Sequence, residues 1–330
     1  MPVRAIALLS GGLDSILAVR ILQEQEIEVE ALNFRTMFAC CQETAAQAAQ
    51  RLGIKISVIG SDDDYLDLVR KPKYGYGRGA NPCIDCRIYM FERARQHMDD
   101  TGASMVVSGE VLGQRPKSQK KRDLLIIEAQ SGLEGRLLRP LSAKLLPPTI
   151  PEQTGEVDRE RLYDFTGRSR KGLIALAEKF GFQRDEIPSP STGCTLTEQT
   201  FAPRVFDLLK QDVANTPWDF ELLKIGRHVR LNSATKAIIG RRADENEMLK
   251  YLAVRADNRT AATLQPDNFA GPVILLVGDV DEPTLDTAGG LAIRFSNKYG
   301  ERPVVLVEHN GQSHLRAVTE SETAASASIL

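Results

Sequence analysis

A glycine-rich loop near the N-terminus, between an apolar strand and a helix, places the strongest constraint on the fold of this chain. Residues 5–9 form an apolar run of strand length, residues 10–15 read SGGLDS, and residues 16–23 repeat apolar side chains at helical spacing. Adjacent glycines let the backbone approach an anion, and a helix N-terminus offers it unpaired N–H groups. The loop is neither a Walker A motif nor GxGxxG. It therefore predicts a phosphate-binding strand–loop–helix unit, with a plain capped glycine turn as the alternative.

Strand and helix patterns alternate over the first 200 residues. Apolar runs at 29–34, 54–59 and 104–109 are separated by segments with helical periodicity. This alternation predicts an α/β fold with a doubly wound parallel sheet, which binds ligands at the carboxyl ends of its strands. The candidate nucleotide-binding residues at these ends are Ser10, Gly11, Gly12, Leu13, Asp14, Ser15, Asn33, Phe34, Arg35, Ser108 and Gly109.

Length and a change of pattern predict two domains and a tail. At 330 residues the chain is long for one core, and from about residue 200 short strands mix with helices, which predicts a smaller α+β domain. We assign residues 1–199 to the first domain and 200–318 to the second, and we expect residues 319–330, rich in Ser, Ala and Thr, to be flexible. Local patterns predict a helix over 86–100, a strand or hairpin arm over 124–129, and a polar turn around Trp218.

Charge and cysteine content limit the partners and the compartment. The formal net charge is −2 and the pI is near 6.2, so RNA contacts must come from local patches. The N-terminal apolar run is too short for a signal peptide, and no run reaches 18 apolar residues, so we expect a cytoplasmic protein without a membrane span. In a reducing compartment the five cysteines indicate metal binding or catalysis before disulfides.

Three of the cysteines form a second constellation. Cys83 and Cys86 make a CxxC, and Cys194 lies in a glycine-containing loop. Three thiolates suit a structural zinc, whose fourth ligand then comes from the two remaining cysteines or from a histidine such as His97. They also suit a [4Fe–4S] cluster with one open iron, or a persulfide relay. Small buried thiols are the plain alternative.

The order of these motifs resembles a known superfamily. SGGLDS is similar to the pyrophosphate loop of the PP-loop ATP pyrophosphatases, and its combination with NPCIDCR and STGC resembles their tRNA thiouridine synthase branch. Cys86 and Cys194 match the two functional cysteines of the 2-thiouridylases, although STGC is one residue shorter than the loop those enzymes usually carry. Cys83 stands where some members carry Asp, so the chain looks more like the branch whose three cysteines bind a [4Fe–4S] cluster.

The resemblance implies a two-step reaction on RNA. ATP adenylates a uracil carbonyl oxygen with release of pyrophosphate, and sulfur then displaces AMP. The implied cofactors are ATP, Mg²⁺ and the cluster, with zinc as the alternative, and the implied partners are a sulfur donor and tRNA or another RNA with an unstacked uridine. Asn33, Phe34 and Arg35 are placed to meet adenine, although Phe34 suits the core equally well.

The resemblance also assigns roles to the carboxylate and the thiols. Asp14 is expected to bind Mg²⁺ or to cap the helix, and both roles are compatible. Sulfur arrives as sulfide on the open iron, which we prefer because it explains Cys83, or as a persulfide. The predicted catalytic residues are Asp14, Cys86 and Cys194, and the predicted cluster ligands are Cys83, Cys86 and Cys194.

The C-terminal part carries a second resemblance. GRH at 226–228 and IIGRR at 238–242, which precedes a predicted helix, resemble the NFACT-R RNA-binding domains, with a solvated arginine turn as the alternative. A basic run at 117–122 follows a predicted strand end and is expected to line the mouth of the site. The predicted RNA-binding residues are Lys117, Lys120, Lys121, Arg122, Arg227, Arg241 and Arg242. The oligomeric state stays open, a homodimer included.

Two functions of other classes use the same features. A PP-loop ligase or amidotransferase-like enzyme acting on a small molecule would combine the nucleotide site with a structural zinc and would turn over without RNA. A non-enzymatic RNA-binding protein built on a degenerate ATPase is the other, and the intact SGGLDS argues against it.

Overall fold

The computed structural model describes residues 3–38, 42–61, 63–190, 193–211, 215–255 and 261–330. The chain divides into two compact units, Met1–Glu198 and Gln199–Leu330. None of the helices in the described part of the chain combines the length and the apolar character that a bilayer-spanning segment needs.

The N-terminal unit is built on a parallel sheet of five strands in the order β3-β2-β1-β4-β5. The strands are β1 (Arg4–Leu8), β2 (Glu28–Arg35), β3 (Ile56–Gly60), β4 (Met105–Ser108) and β5 (Leu137–Leu138). The chain adds β2 and β3 on one side of β1 and then crosses to add β4 on the other. A crevice therefore opens at the carboxyl ends of β1 and β4, where such sheets bind ligands.

Helices cover both faces of this sheet. They are α1 (Leu13–Gln23), α2 (Gln42–Leu52), α3 (Asp63–Arg70), α4 (Cys83–Thr101), α5 (Lys121–Gln130), α6 (Ile150–Thr154) and α7 (Lys171–Lys179). The side chains of β1 alternate between the two faces of the sheet. Ala5 and Ala7 therefore pack into an apolar cluster on one face, and Ile6 and Leu8 pack into a second cluster on the other. The predicted doubly wound α/β fold is confirmed.

The C-terminal unit is an antiparallel sheet with helices. Its strands, in the order β11-β10-β8-β9-β7-β6, pair antiparallel throughout. The strands are β6 (Arg227–Arg230), β7 (Lys236–Ile239), β8 (Ala261–Pro266), β9 (Ile274–Val277), β10 (Val304–His309) and β11 (Gln312–Ala317). The helices are α8 (Ala202–Leu209), α9 (Pro217–Leu222), α10 (Ala243–Val254), α11 (Glu282–Arg294) and α12 (Glu322–Ser326). The predicted α+β class of this part is correct.

Two local predictions are wrong for identifiable reasons. Residues 124–129 are part of helix α5, whose Leu124 and Ile127 are buried one turn apart, so the apolar run LLII is a helix face. Trp218 is buried in α9 rather than exposed in a turn, because Thr216 and Asp219 form a capping box and Pro217 opens the helix.

Helix α4 begins at Cys83 instead of Cys86, so both cysteines of the CxxC lie in its first turn. Pro82 precedes the helix at its N-cap position, where its missing N–H costs nothing. Both thiols therefore lie at the N-terminus of this helix.

The expected flexible tail, 319–330, is packed against the rest of its unit, and this prediction is wrong. Ala324 is buried on α12, and Arg294 donates to the carbonyl oxygens of Ala324 and Ala327 at 2.7 and 2.8 Å. The backbone N–H of Leu330 donates to the carbonyl oxygen of His228 at 2.9 Å. Because these partners lie far away in sequence, the composition of the tail could not reveal them.

Candidate functional site

The phosphate loop lies in the crevice between β1 and β4. Gly11 has a φ of +80°, and Gly12 precedes α1 with extended backbone. Ser15 donates its hydroxyl to the carbonyl oxygen of Gly12 at 2.8 Å, and the Ser10 and Ser15 hydroxyl oxygens are 3.3 Å apart. The two predicted serine donors are thus held together beside the N–H groups that open α1.

Ser108 and Gly109 meet this loop directly. A Cβ atom on Gly109 would lie 2.5 Å from the carbonyl carbon of Asp14 and 2.6 Å from the backbone nitrogen of Ser15. Only glycine allows the backbone after β4 to approach α1 so closely. The structure therefore brings together the two predicted strand ends of the nucleotide site.

Asp14 is a partly buried carboxylate among donors. Gln114 donates its amide N–H to Asp14 Oδ2 at 3.0 Å. Burial raises the pKa of Asp14, although this hydrogen bond and the charges of Arg170 and Arg115 act in the opposite direction. A cation at this carboxylate would offset the same desolvation, so Asp14 is chemically suited to hold Mg²⁺ beside a phosphate.

The predicted adenine residues at the end of β2 have different environments. Asn33 is buried and donates its amide to the carbonyl oxygen of Leu9 at 2.8 Å, which ties β2 to the phosphate loop. Phe34 packs in an apolar cluster, as the core alternative expected. Arg35 is exposed and borders a cavity of about 280 Å³ together with Gly60 and Ser61.

The CxxC thiols have different partners. Asn81 donates its amide N–H to Cys83 Sγ at 3.0 Å. Cys86 Sγ lies 3.5 Å from the Tyr65 hydroxyl and 3.8 Å from Met90 Sδ, and burial raises the pKa of Cys86. Cys86 is therefore the more secluded thiol of the two.

Cys194 belongs to the same neighbourhood. Burial raises the pKa of Tyr65 well above its usual value, and the Cys86 and Cys194 charges raise it further, so both thiols lie around one phenol. Thr195 donates its N–H to the carbonyl oxygen of Phe38 at 3.0 Å, which holds the Cys194 loop beyond the end of β2.

Three of the cysteines, Cys83, Cys86 and Cys194, share one region of the structure. Among the residues that the structure describes, no three His, Cys, Asp or Glu side chains are arranged to hold a metal ion, and the expected [4Fe–4S] and zinc sites stay predictions. His97 is no fourth zinc ligand: its Nε2 pairs with Glu30 at 2.9 Å. It also lies roughly 16 Å further along α4 than Cys86. Cys40 and Cys41 lie outside the described residues.

Arg115 lies near both the phosphate loop and the cysteine segments, and the sequence analysis did not identify it. Burial and the charge of Arg87 lower the pKa of the Arg115 guanidinium, while negative charges on Cys83 and Asp14 act to raise it. A Cβ atom on Gly193 would lie 3.4 Å from Arg115 Nη1, so the guanidinium also reaches the Cys194 loop. Arg115 stands within the basic run of the sequence, but nothing in that pattern separated it from the neighbouring lysines.

The other predicted basic residues of this unit lie nearby or on the surface. Lys117 donates its ammonium to the carbonyl oxygen of Tyr74 at 2.9 Å, in the loop that precedes the CxxC. Lys120 precedes α5, and Lys121 and Arg122 begin it with exposed side chains. Their predicted contact with RNA stays a prediction.

The arginines predicted to contact RNA in the C-terminal unit already have partners. Arg241 Nε lies 3.0 Å from Glu245 Oε1, and Arg242 Nη2 lies 3.0 Å from Asp244 Oδ2. Arg227 stacks its guanidinium over Phe295, 5.0 Å from the ring centroid. The predicted contacts of these arginines with RNA, and the alternative of a solvated arginine turn, both stay predictions.

Comparison with known proteins agrees with both resemblances. Residues 3–131 match the family model described as the tRNA methyl transferase HUP domain, and residues 226–328 match the NFACT protein RNA binding domain. The tRNA-specific 2-thiouridylase MnmA of Pseudomonas putida is 26% identical over 242 residues, which cover 68% of this chain and 60% of that protein. MnmA of Pseudomonas paraeruginosa is 28% identical over 245 residues, with the same coverage.

A solved structure is also similar to this chain. The complex of a 4-thiouridine synthetase with RNA and bound ATP aligns with a TM-score of 0.34 at 22% identity, over 54% of this chain and 51% of that one. The chain spans about 60% of the length of the curated relatives that it matches. The predicted resemblance to PP-loop tRNA thiouridylases, with a C-terminal part similar to NFACT RNA-binding domains, is confirmed.

Proposed function

We propose that this protein thiolates a uridine in RNA, using ATP to activate a carbonyl oxygen of the base. One observation carries the proposal: the phosphate loop and the segments of three cysteines meet at the carboxyl edge of one parallel sheet, where the charge of Arg115 acts on Asp14 and Cys83 and its guanidinium approaches Gly193. An ATP site alone would serve many acceptors. Thiols next to that site favour sulfur as the incoming nucleophile.

The activation step uses the loop. A uracil carbonyl oxygen attacks the α-phosphorus of ATP, the bond to the β-phosphate oxygen breaks, and pyrophosphate leaves. The N–H groups at residues 11–13 and the hydroxyls of Ser10 and Ser15 would hold the pyrophosphate. Asp14 is the carboxylate that the loop offers to a Mg²⁺ ion, which would neutralise phosphate charge. Arg115 would stabilise the negative charge that remains on AMP.

The sulfur step uses the thiols. Because they form no metal-binding arrangement among the described residues, the proposed route runs through Cys86 and Cys194 alone. A persulfide on one of them attacks the activated carbon, AMP leaves, and the second thiolate attacks the resulting disulfide. This step releases the thiocarbonyl and leaves a Cys86–Cys194 disulfide, which an external thiol reductant must reduce before a sulfur donor reloads the site.

The C-terminal unit is proposed to bind the RNA. Its residues 226–328 match an RNA-binding domain family, and the base that reacts must leave its stack to reach the crevice. A loop or bulge of tRNA is therefore a better substrate than a continuous duplex. The proposed compartment is the cytoplasm, where tRNA is found.

Nucleoside mass spectrometry of tRNA from cells with and without this protein tests the function. We expect one thiolated uridine to disappear in the deletion strain and to return with the wild-type chain but not with Cys86→Ser. An unchanged nucleoside profile, combined with ATP turnover in the absence of RNA, would instead indicate the small-molecule ligase.

Iron content separates the two sulfur routes. Anaerobic reconstitution with iron and sulfide should leave the protein colourless, and Cys83→Ser should keep measurable thiolation. A brown protein whose absorption and activity are lost together in Cys83→Ser, Cys86→Ser and Cys194→Ser would establish the [4Fe–4S] cluster and reject the persulfide route.

A further inference from the structure

The C-terminal unit contains a cavity that the proposed reaction does not use. It has a volume of about 380 Å³ and lies between the helices α8 and α9 and the strands β6, β7 and β9. Apolar side chains form much of its wall: Leu208, Leu222, Leu223, Ile238 and Val277. This size and lining are typical of pockets for small ligands. The helical wall precedes residues 226–328, so the matched family model does not include it.

Charges of both signs line the cavity. Arg230 and Lys236 line the cavity, and both bind Asp207, whose Oδ2 lies 2.7 Å from Arg230 Nη2 and 3.0 Å from Lys236 Nζ. Lys236 is buried, and Asp219 and Asp279 also line the cavity. The carboxylates disfavour an anionic ligand, and the two cations disfavour a metal ion. The lining therefore selects for a neutral ligand that makes hydrogen bonds.

His228 contributes a ring nitrogen that has no hydrogen-bond partner among the described residues. Its side chain lines the cavity and is fully buried. Its Nε2 donates to the carbonyl oxygen of Ile225 at 2.9 Å, so in the neutral ring Nδ1 carries a lone pair. Burial, helped by the charges of Lys236 and Arg204, keeps the pKa of His228 well below its usual value, so the ring is neutral at pH 7. Nδ1 has no hydrogen-bond partner in the described part of the chain.

We propose that this cavity binds a single nucleobase. A base is planar and neutral, its faces suit the apolar wall, and its edge offers an N–H to His228 Nδ1 and an acceptor to Lys236. A buried polar atom without a partner is costly, and a ligand N–H would remove that cost. The inference rests on the proposed function in one respect, the choice of RNA as partner. The base belongs either to unstacked RNA or to a free nucleotide.

The chain carries its own reporter for this cavity. Trp218 is its only tryptophan, is buried on α9, and precedes Asp219 in the cavity wall. Its Nε1 donates to the carbonyl oxygen of Leu252 at 2.9 Å, which fixes the indole. Binding in the cavity should therefore change the emission of Trp218.

The test titrates the full chain with uridine, cytidine and guanosine 5′-monophosphates and with a short single-stranded oligouridylate. Trp218 emission and calorimetry report binding. Loss of one buried hydrogen bond predicts an affinity at least about tenfold lower in His228→Phe. Leu208→Phe, which fills the cavity and keeps His228, should also lower the affinity about tenfold. His314→Phe, an exposed histidine on β11, should stay within about twofold of the wild type.

The outcomes separate the sources and the hypotheses. Tighter binding of the oligouridylate identifies an RNA base, and tighter binding of a mononucleotide identifies a free nucleotide, so either supports the proposal. No saturable binding, or affinities unchanged in both His228→Phe and Leu208→Phe, would overturn it. Thermal unfolding confirms that each variant folds. Nucleoside analysis is a separate readout, so base binding without thiouridine rejects the proposed reaction alone, and thiouridine without base binding rejects the cavity alone.

Discussion

The arginines of the two units differ in what already binds them. In the N-terminal unit, the charge of Arg115 acts on Asp14 and Cys83 and its guanidinium approaches Gly193, while it makes no hydrogen bond or ion pair within the described residues. In the C-terminal unit, Arg241 and Arg242 each bind a carboxylate within four residues along the chain. An arginine bound to its own acid must give up that partner to bind a phosphate, and Glu245, the partner of Arg241, is buried. Whether a carboxylate already pairs with the guanidinium, and not the residue type, therefore decides which arginine can bind a ligand.

The largest effect is expected from a substitution that disrupts the crevice beside Arg115. Gly109→Ala would place a Cβ atom 2.5 Å from the backbone of Asp14, so the two strand ends must separate. A shift of about 1 Å at reacting groups predicts a loss of about a hundredfold in kcat/KM for RNA-dependent pyrophosphate release. Gly300→Ala is the matched control, because its Cβ would meet nothing within 4 Å. Wild-type activity in Gly109→Ala would remove the crevice from the mechanism.

The second prediction concerns the pH dependence of stability that a buried cation of the C-terminal unit, Lys236, should cause. Burial lowers the pKa of Lys236 from 10.5 to about 8. Below pH 8 both folded and unfolded chains hold the proton. Between pH 8 and 10.5 the folded chain loses it first, so the free energy of unfolding should rise by about 3 kcal/mol from this group.

Urea unfolding between pH 7 and 10.5 measures this rise. Lys236→Met should abolish it, whereas Lys298→Met, at an exposed position, should keep it. The opposite pattern, a rise that persists in Lys236→Met, would mean that Lys236 titrates normally in the folded chain.

The third prediction tests whether Arg115 contributes to the proposed reaction. Arg115→Met removes the cation near Asp14 and Cys83 and should lower kcat/KM about tenfold or more, with partial recovery in Arg115→Lys. Arg184→Met is the control, since Arg184 is exposed and pairs with Glu178. Steady-state pyrophosphate release measures all three. Equal rates in the Arg115 and Arg184 variants would place Arg115 outside the reaction.

The smallest effect concerns an arginine that is already bound. Arg241→Met should lower RNA affinity less than about threefold at 0.15 M salt, because the guanidinium is paired with Glu245. Filter binding with unmodified tRNA measures it. A loss of tenfold or more would show that Arg241 leaves Glu245 to bind phosphate, and it would remove the contrast with Arg115.

The sequence predicted the features of the N-terminal site that depend on local backbone conformation and on the spacing of residues along the chain. Gly11 and Gly109 matter because they lack a side chain, and that property is local. The CxxC was equally visible, but its position in the first turn of α4 was not. Arg115 was missed because its role depends on Asp14 and Gly193, which lie far from it along the chain.

The sequence by itself determined the alternating α/β pattern, the phosphate loop, the cysteine set and the C-terminal IIGRR turn. These signals rest on local conformational preference and periodicity. Tertiary structure alone decided that the tail packs through Arg294, that Trp218 is buried, and that His228 borders a cavity with an unpaired nitrogen. Burial and pairing depend on residues that are distant in sequence, so no local pattern could have specified them.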